Sequence, residues 1–244
     1  MKENKYDDPV FFAKYARMDR SRFGLKAAGE WRTLEPMLPD FTGRDVLDLG
    51  CGYGWHCAYA AEHGARSVLG LDISEKMLAV AQKDHAASVI EYRRMVMEDA
   101  DFADGSFDVV LSSLAFHYVA DFGALVRKTA HWLRPGGDFV FSCEHPVFTA
   151  EGSQDWYRDE NGKILHFPVD NYYMEGERQA VFLGERVTKY HRTLTGYVGA
   201  LLSNGFMLTG LAEPQPPQEM IDAIPGMVDE LRRPMMLILA AKKQ

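Results

Sequence analysis

Asp45-Val46-Leu47-Asp48-Leu49-Gly50-Cys51-Gly52-Tyr53-Gly54-Trp55 is the stretch whose reading decides the fold. Val46 to Leu49 is a short apolar run, the mark of a buried strand, and Trp55 to His63 reads as a helix stopped by Gly64. Between them lie Gly50, Gly52 and Gly54. Glycines let the backbone turn sharply and come close to a ligand, and the helix that follows presents a partly positive N-terminus. A strand, a glycine turn and a helix in this order form a generic nucleotide cradle. The same three pieces also make a tight turn that holds nothing, so the rest of the chain has to arbitrate.

Outward from this stretch the rhythm repeats. Ser67 to Leu71 is a strand, and Ser74 N-caps a helix running to His85. Val89 to Val96 and Phe107 to Ser113 are the third and fourth strands. Phe122 to Leu133 is a helix, closed by Leu133-Arg134-Pro135-Gly136-Gly137, and Asp138 to Cys143 is the fifth strand. Alternating elements with nearly continuous apolar strands predict an α/β, doubly wound, mostly parallel sheet with helices on both faces. Before it, Pro9 to Leu38 reads as helical, with a second helix over Lys26 to Met37. After it, an aromatic stretch without clear period follows the fifth strand. The pattern then resumes with a helix at Leu194 to Asn204, a strand at Phe206 to Ala212 and a last strand at Met235 to Ala241. The expected division is a single domain over 1–244: a helical cap (1–44), a cofactor-binding core (45–143), an acceptor lid (144–190) and a C-terminal helix and strands (191–244).

Composition narrows the class. The 244 residues are 47% hydrophobic with a net charge of -8, enough for one sizeable core and opposed to the basic footprint of a nucleic-acid binder. The opening residues Met1 to Pro9 lack an apolar signal core, and no run reaches the roughly 18 apolar residues of a membrane span. Cys51, Cys57 and Cys143 have no CxxC spacing and read as reduced packing residues, not a metal site. A cytoplasmic protein, monomeric or homodimeric, is expected.

Ligand choice turns on two residues. Asp72 ends the second strand, where an acid accepts both hydroxyls of an adenosine ribose. Trp55 stands where the dinucleotide fingerprint wants its third glycine, and an indole obstructs close packing beside a pyrophosphate. NAD and FAD are therefore disfavoured, and no GxxxxGK[ST] is present. Four spaced motifs agree instead: Val46 to Gly54; Leu71-Asp72-Ile73-Ser74 with Met77-Leu78; Glu98-Asp99-Ala100 with Ser106-Phe107-Asp108-Val109-Val110; and Leu133 to Gly137. Together, in this order over Asp45 to Cys143, they resemble the class I S-adenosylmethionine-dependent methyltransferases, in particular the small-molecule "type 11" group.

The resemblance implies a Rossmann-like sheet with one antiparallel strand near the C-terminus, S-adenosylmethionine as cofactor and S-adenosylhomocysteine as product. It implies that Asp48 lies near the cofactor's amino group at the loop of Gly50 and Gly52. Asp72 would take the ribose hydroxyls, with Ile73 against the adenine face and Met77 also in contact with the cofactor. Asp99 and the Ala100 amide would meet the adenine edge, and Ser112 or Ser113 would present backbone groups toward the methionine portion. Met97-Glu98 departs from the commoner glycine before Asp99.

Methyl transfer from a sulfonium needs alignment first. Orientation can contribute about 7–11 kcal/mol, whereas a general base typically adds a factor of about 10²–10⁴. Candidate bases follow the strand ends: His117 after the fourth, Glu144 and His145 after the fifth. Each could instead only line or brace the pocket. Tyr15, Trp156, Tyr172 and His191 are candidate acceptor contacts, and no metal ligands are expected. Three rivals share features. A non-catalytic adenosyl-ligand sensor would have no purpose for an aromatic acceptor cavity. Protein or RNA methylation would favour an open groove. An aminopropyltransferase would need carboxylates that Ser112 to Tyr118 lacks.

Overall fold

The computed structural model describes residues 4–244; Met1 to Glu3 of the N-terminal reading lie outside them. The chain enters through three short helices, α1 (Pro9–Tyr15), α2 (Asp19–Phe23) and α3 (Trp31–Leu34). The expected long helices are not formed. Gly24 adopts a left-handed φ of +69° between α2 and the next turn, and Pro36 limits α3 to a tight 3-10 continuation. Gly24 has a second reason to be glycine: a Cβ there would stand 2.7 Å from the Trp55 indole. The residue that argued against a dinucleotide thus packs the N-terminal segment onto the core.

The α/β body follows as read: β1 (Asp45–Leu49), α4 (Trp55–Glu62), β2 (Ser67–Asp72), α5 (Glu75–Asp84), β3 (Ile90–Arg94), β4 (Phe107–Ser113) and α6 (Phe122–Trp132). β5 (Leu133–Glu144) is longer than expected, because the segment that ends α6 is already extended beside β4. Then come α7 (Pro146–Thr149), β6 (Tyr157–Arg158), β7 (Ile164–His166), β8 (Gly176–Phe182), β9 (Glu185–His191), α8 (Leu194–Ser203), β10 (Phe206–Ala212), α9 (Gln218–Ala223) and β11 (Met236–Lys243). The insertion is therefore not irregular throughout. β8 and β9 form an antiparallel hairpin, and β6 and β7 a smaller one. α9 was not anticipated.

The main sheet has the order β10-β11-β5-β4-β1-β2-β3, with β1 to β5 parallel and β11 antiparallel to both of its neighbours. Alternate side chains feed two cores. Leu47, Leu49, Val110, Phe139 and Phe141 meet Leu125, Trp132, Tyr197 and Leu201 of α6 and α8. Val46, Val109, Leu111, Val140 and Ile238 meet Cys57, Ala60 and Leu78 of α4 and α5, with Trp31 and Leu34. Burial on both faces explains the continuous apolar strands, each large side chain contributing about 1.5–3 kcal/mol. Strand order reverses between β1 and β4, which opens a crevice at their carboxyl ends.

Candidate active site

A cavity of about 780 Å³ occupies that crevice. Its first half is built by the glycine loop. Gly50 and Cys51 donate their amides to the Leu71 carbonyl (2.8 and 2.9 Å), pinning β1 to β2 at the turn. A Cβ on Gly50 would meet that of Ala115 at 2.6 Å, whereas one on Gly52 would meet nothing within 4 Å. Gly50 is thus required by the protein's own packing, and Gly52 leaves room for a ligand. The Asp72 carboxylate accepts from the Gly52 amide (2.9 Å) and the Ser74 amide (2.8 Å). Burial pushes its pKa up to about 6 despite those two donors. A carboxylate offers about four lone-pair sites, so two remain to receive a pair of hydroxyls. Leu71, Ile73, Met77, Met95 to Glu98 and Ser113 complete this half.

Three expected cofactor residues lie off the cavity wall. Asp48 is 1% exposed behind the loop, where it accepts from the Cys57 thiol (3.3 Å) and burial raises it to about 7. Ala100 is fully buried, and its carbonyl accepts from Lys128. Asp99 ends a 3-10 turn of which Met97 and Glu98 are the lining members.

The second half of the cavity is covered by the N-terminal segment and the β8–β9 hairpin. These pack on one another through Phe11, Ala180 and Val187, a small core of their own. Tyr6 reaches Tyr118 hydroxyl to hydroxyl (3.2 Å) and lies edge-on to Tyr15, with both rings on the cavity. Arg20 and Glu30 form a lining ion pair (3.0 Å). Asp7 clasps the segment to α5: it accepts from the Ser74 hydroxyl (2.6 Å) and from the amides of Lys76 (3.1 Å) and Glu75 (3.3 Å).

His117 and Glu144 both line this half; His145 does not. His117 Nδ1 accepts the Glu144 amide (3.4 Å), its Nε2 stands 3.9 Å from Glu144 Oε1, and burial lowers its pKa to about 4. Burial pushes the Glu144 carboxyl up, but His117 and Lys189 together hold it below its ordinary value. His145 turns away: it caps α7 by accepting from the Val147 amide (3.0 Å) and faces Glu213 (2.8 Å).

Of the proposed acceptor contacts, Tyr15 alone lines the cavity. Trp156 packs against Phe167, Arg232 and Arg233. His191, fully buried, bonds the Thr149 hydroxyl and the Tyr172 carbonyl (both 2.8 Å), and the Tyr172 hydroxyl accepts from the Leu194 amide. These are struts of the insertion. Their aromatic character drew attention, but aromatic rings also make ordinary small cores. Sequence reasoning passed over Tyr6, Arg20, Glu30 and Lys189. A signal for Lys189 was present: Val187, Lys189 and His191 alternate on one face of β9.

The methyltransferase-domain model matches residues 47–141, which run from β1 into β5. A solved Listeria monocytogenes protein, provisionally named an S-adenosylmethionine-dependent methyltransferase, is 54% identical; the match covers 91% of this chain and 99% of that one, with a TM-score of 0.86. A solved S-adenosylmethionine-dependent methyltransferase of Mesorhizobium loti is 43% identical over 90% of this chain and all of its own (100%), TM-score 0.83. A ubiquinone biosynthesis O-methyltransferase of Mesorhizobium japonicum is 41% identical over 100 residues, 40% of this chain and 39% of that enzyme. With a doubly wound sheet, a glycine turn and an acid closing β2, the chain belongs to the S-adenosylmethionine-dependent methyltransferases. It is an enzyme of that class, and S-adenosylmethionine is its cofactor. No helix among the described residues is long and apolar enough to cross a membrane.

Proposed function

We propose that the acceptor is a small molecule held in the covered half of the cavity, and that methyl transfer to it runs in line. The observation that carries this is enclosure: Tyr6, Tyr15, Tyr118, Phe182 and Val187 wall a space continuous with the Gly52–Asp72 side. Concave, mostly apolar pockets with few polar groups suit small ligands, whereas a protein or RNA chain needs a groove. When bound, S-adenosylmethionine supplies a methyl group already activated on a sulfonium.

This chain's residues then hold and orient. Gly50 and Gly52 give backbone access, Asp72 receives the ribose hydroxyls, and Ile73 and Met77 pack beside them. Asp48 supports the loop from behind, and the turn at Asp99 and Ala100 sets Met97 and Glu98 on the adenine side. Ser113 lines the methionine portion. Glu144 receives the acceptor's proton. His117 is the poorer base here: its Nδ1 lone pair takes an amide hydrogen, which places its own hydrogen on the Nε2 facing Glu144.

Incubation of the protein with isotope-labelled cofactor and a metabolite extract, followed by mass spectrometry, tests the reading. A new labelled small molecule is expected. Its yield should fall by about 10²–10⁴ in Glu144→Gln with S-adenosylhomocysteine binding retained. Label found only in protein or RNA would refute it.

A further inference from the structure

β9 carries a lysine into the interior. Lys189 is 2% exposed, lines the cavity, and reaches across to the end of β5. Its Nζ donates to Glu144 Oε1 (2.5 Å) and to Gln154 Oε1 (2.8 Å), and Gln154 Nε2 donates to Glu144 Oε2 (2.6 Å). Glu144, Gln154 and Lys189 thus close a ring of hydrogen bonds that ties β9 to the end of β5. Each oxygen of the carboxylate has one strong donor, and the rings of Phe182 (5.4 Å) and Tyr118 (6.0 Å) flank the ammonium. Gln154 holds a left-handed φ of +60°, a conformation that costs a non-glycine residue energy and is retained where surrounding structure demands it.

A buried ammonium needs a carboxylate partner, and here that partner stands on the cavity wall. We infer that Lys189, oriented by Gln154, is a positioning residue that keeps Glu144 ionised and fixed at the acceptor half, so that the acceptor must present a hydrogen, on a hydroxyl or an amine, to that carboxylate. The inference rests on the reading of Glu144 as the proton-accepting group. Facing Glu144 are His117 and Tyr118 from the turn after β4, Cys143 from β5 itself, Lys189 from β9 and the neutral Gln154. With His117, Lys189 opposes the burial of Glu144, and it alone adds a direct hydrogen bond from a permanent cation. Without it, only His117 and the Gln154 hydrogen bond oppose burial, and the carboxyl titrates at higher pH.

Carbon-13 NMR of protein labelled at glutamate carboxyls, saturated with S-adenosylhomocysteine, reads this without an acceptor. The Glu144 resonance is assigned by its loss in Glu144→Gln. It should stay ionised throughout pH 5–8 in the wild type and in Lys189→Arg. In Lys189→Met its midpoint should rise by about one to three pH units, the effect of losing an adjacent opposite charge. S-adenosylhomocysteine affinity should stay within about threefold, showing an intact fold. An unmoved midpoint in folded Lys189→Met overturns the inference. Should that variant not fold, Gln154→Ala decides: it should raise the midpoint in the same direction by a smaller amount, and no change overturns the inference equally. Full turnover by Glu144→Gln, with the midpoint shift intact, would overturn the proton-accepting role and the acceptor restriction while leaving the charge coupling in place.

Discussion

Asp72 receives amide hydrogens from residues on both sides of it in the chain, Gly52 and Ser74, and still faces the cavity. Asp72→Ala removes an acceptor for hydroxyls bound to a charged group, a loss of about 1.5–3 kcal/mol. S-adenosylhomocysteine affinity should fall by about one to two powers of ten by calorimetry, with the circular dichroism spectrum unchanged. The pH dependence has a definite sign. The buried carboxyl is protonated below about 6, and a protonated carboxyl loses acceptor capacity toward two hydroxyls. Binding should therefore strengthen as pH rises through about 6, with that limb reduced in Asp72→Asn. Asp48, raised to about 7, leaves a smaller second limb in the variant. An affinity independent of pH from 5 to 7 would place the ribose elsewhere.

Among the elements, the N-terminal segment depends on one side chain. Asp7 places its charge at the N-terminus of α5, where the helix dipole favours an anion, and Arg94 stands 3.6 Å away. Its hydrogen bonds with Ser74, Lys76 and Glu75 outweigh burial and hold the Asp7 pKa below the ordinary value. A depressed acid contributes stability above its unfolded pKa, so the clasp is complete at neutral pH and is lost only as pH falls below the usual carboxylate range. Asp7→Ala should cost about 1 kcal/mol, lowering Tm by about 2–4 °C. Limited proteolysis should cut earlier within the first thirty or so residues than in the wild type. An unchanged digestion pattern would mean that Phe11 and Tyr6 alone hold the segment.

The legibility of the elements follows their physics. β1, β2, β4 and α6 were readable because burial on two faces, or on one helical stripe, leaves an unbroken or periodic apolar record, and Ser74 was readable as a cap. The β8–β9 hairpin was not. Its two-residue turn is Leu183-Gly184 with φ of +55° and +79°, a geometry that sequences usually announce with Asn-Gly or Asp-Gly. Leucine at the first position hides it. The site divides the same way. Gly50, Gly52 and Asp72 act through local turn chemistry that the strand ends advertise. Lys189 and Arg20 meet the cavity only through long-range packing, and a buried lysine looks like any surface lysine until its partner is placed.

At the scale of the whole molecule, a ligand that binds the folded chain alone must raise its melting temperature. At one hundred times its dissociation constant the gain is about 2.7 kcal/mol, or about 5–11 °C for a chain of this size. Differential scanning fluorimetry should show that rise with S-adenosylhomocysteine and none with NAD. Equal stabilisation by both would undo the argument from Trp55.

β11 lies between β5 and β10 although it follows both in the sequence. During synthesis this order imposes a wait. As the ribosome releases the chain, β1 to β5 can assemble, but β10 has no strand to pair with. The edge of β5 stays unpaired until β11 has emerged. An unpaired strand edge beside apolar surface invites association with other chains. A nascent chain stalled before residue 236 therefore carries a nearly finished nucleotide cradle and an open flank, and it falls to chaperones or to the speed of translation to protect it until the flank closes.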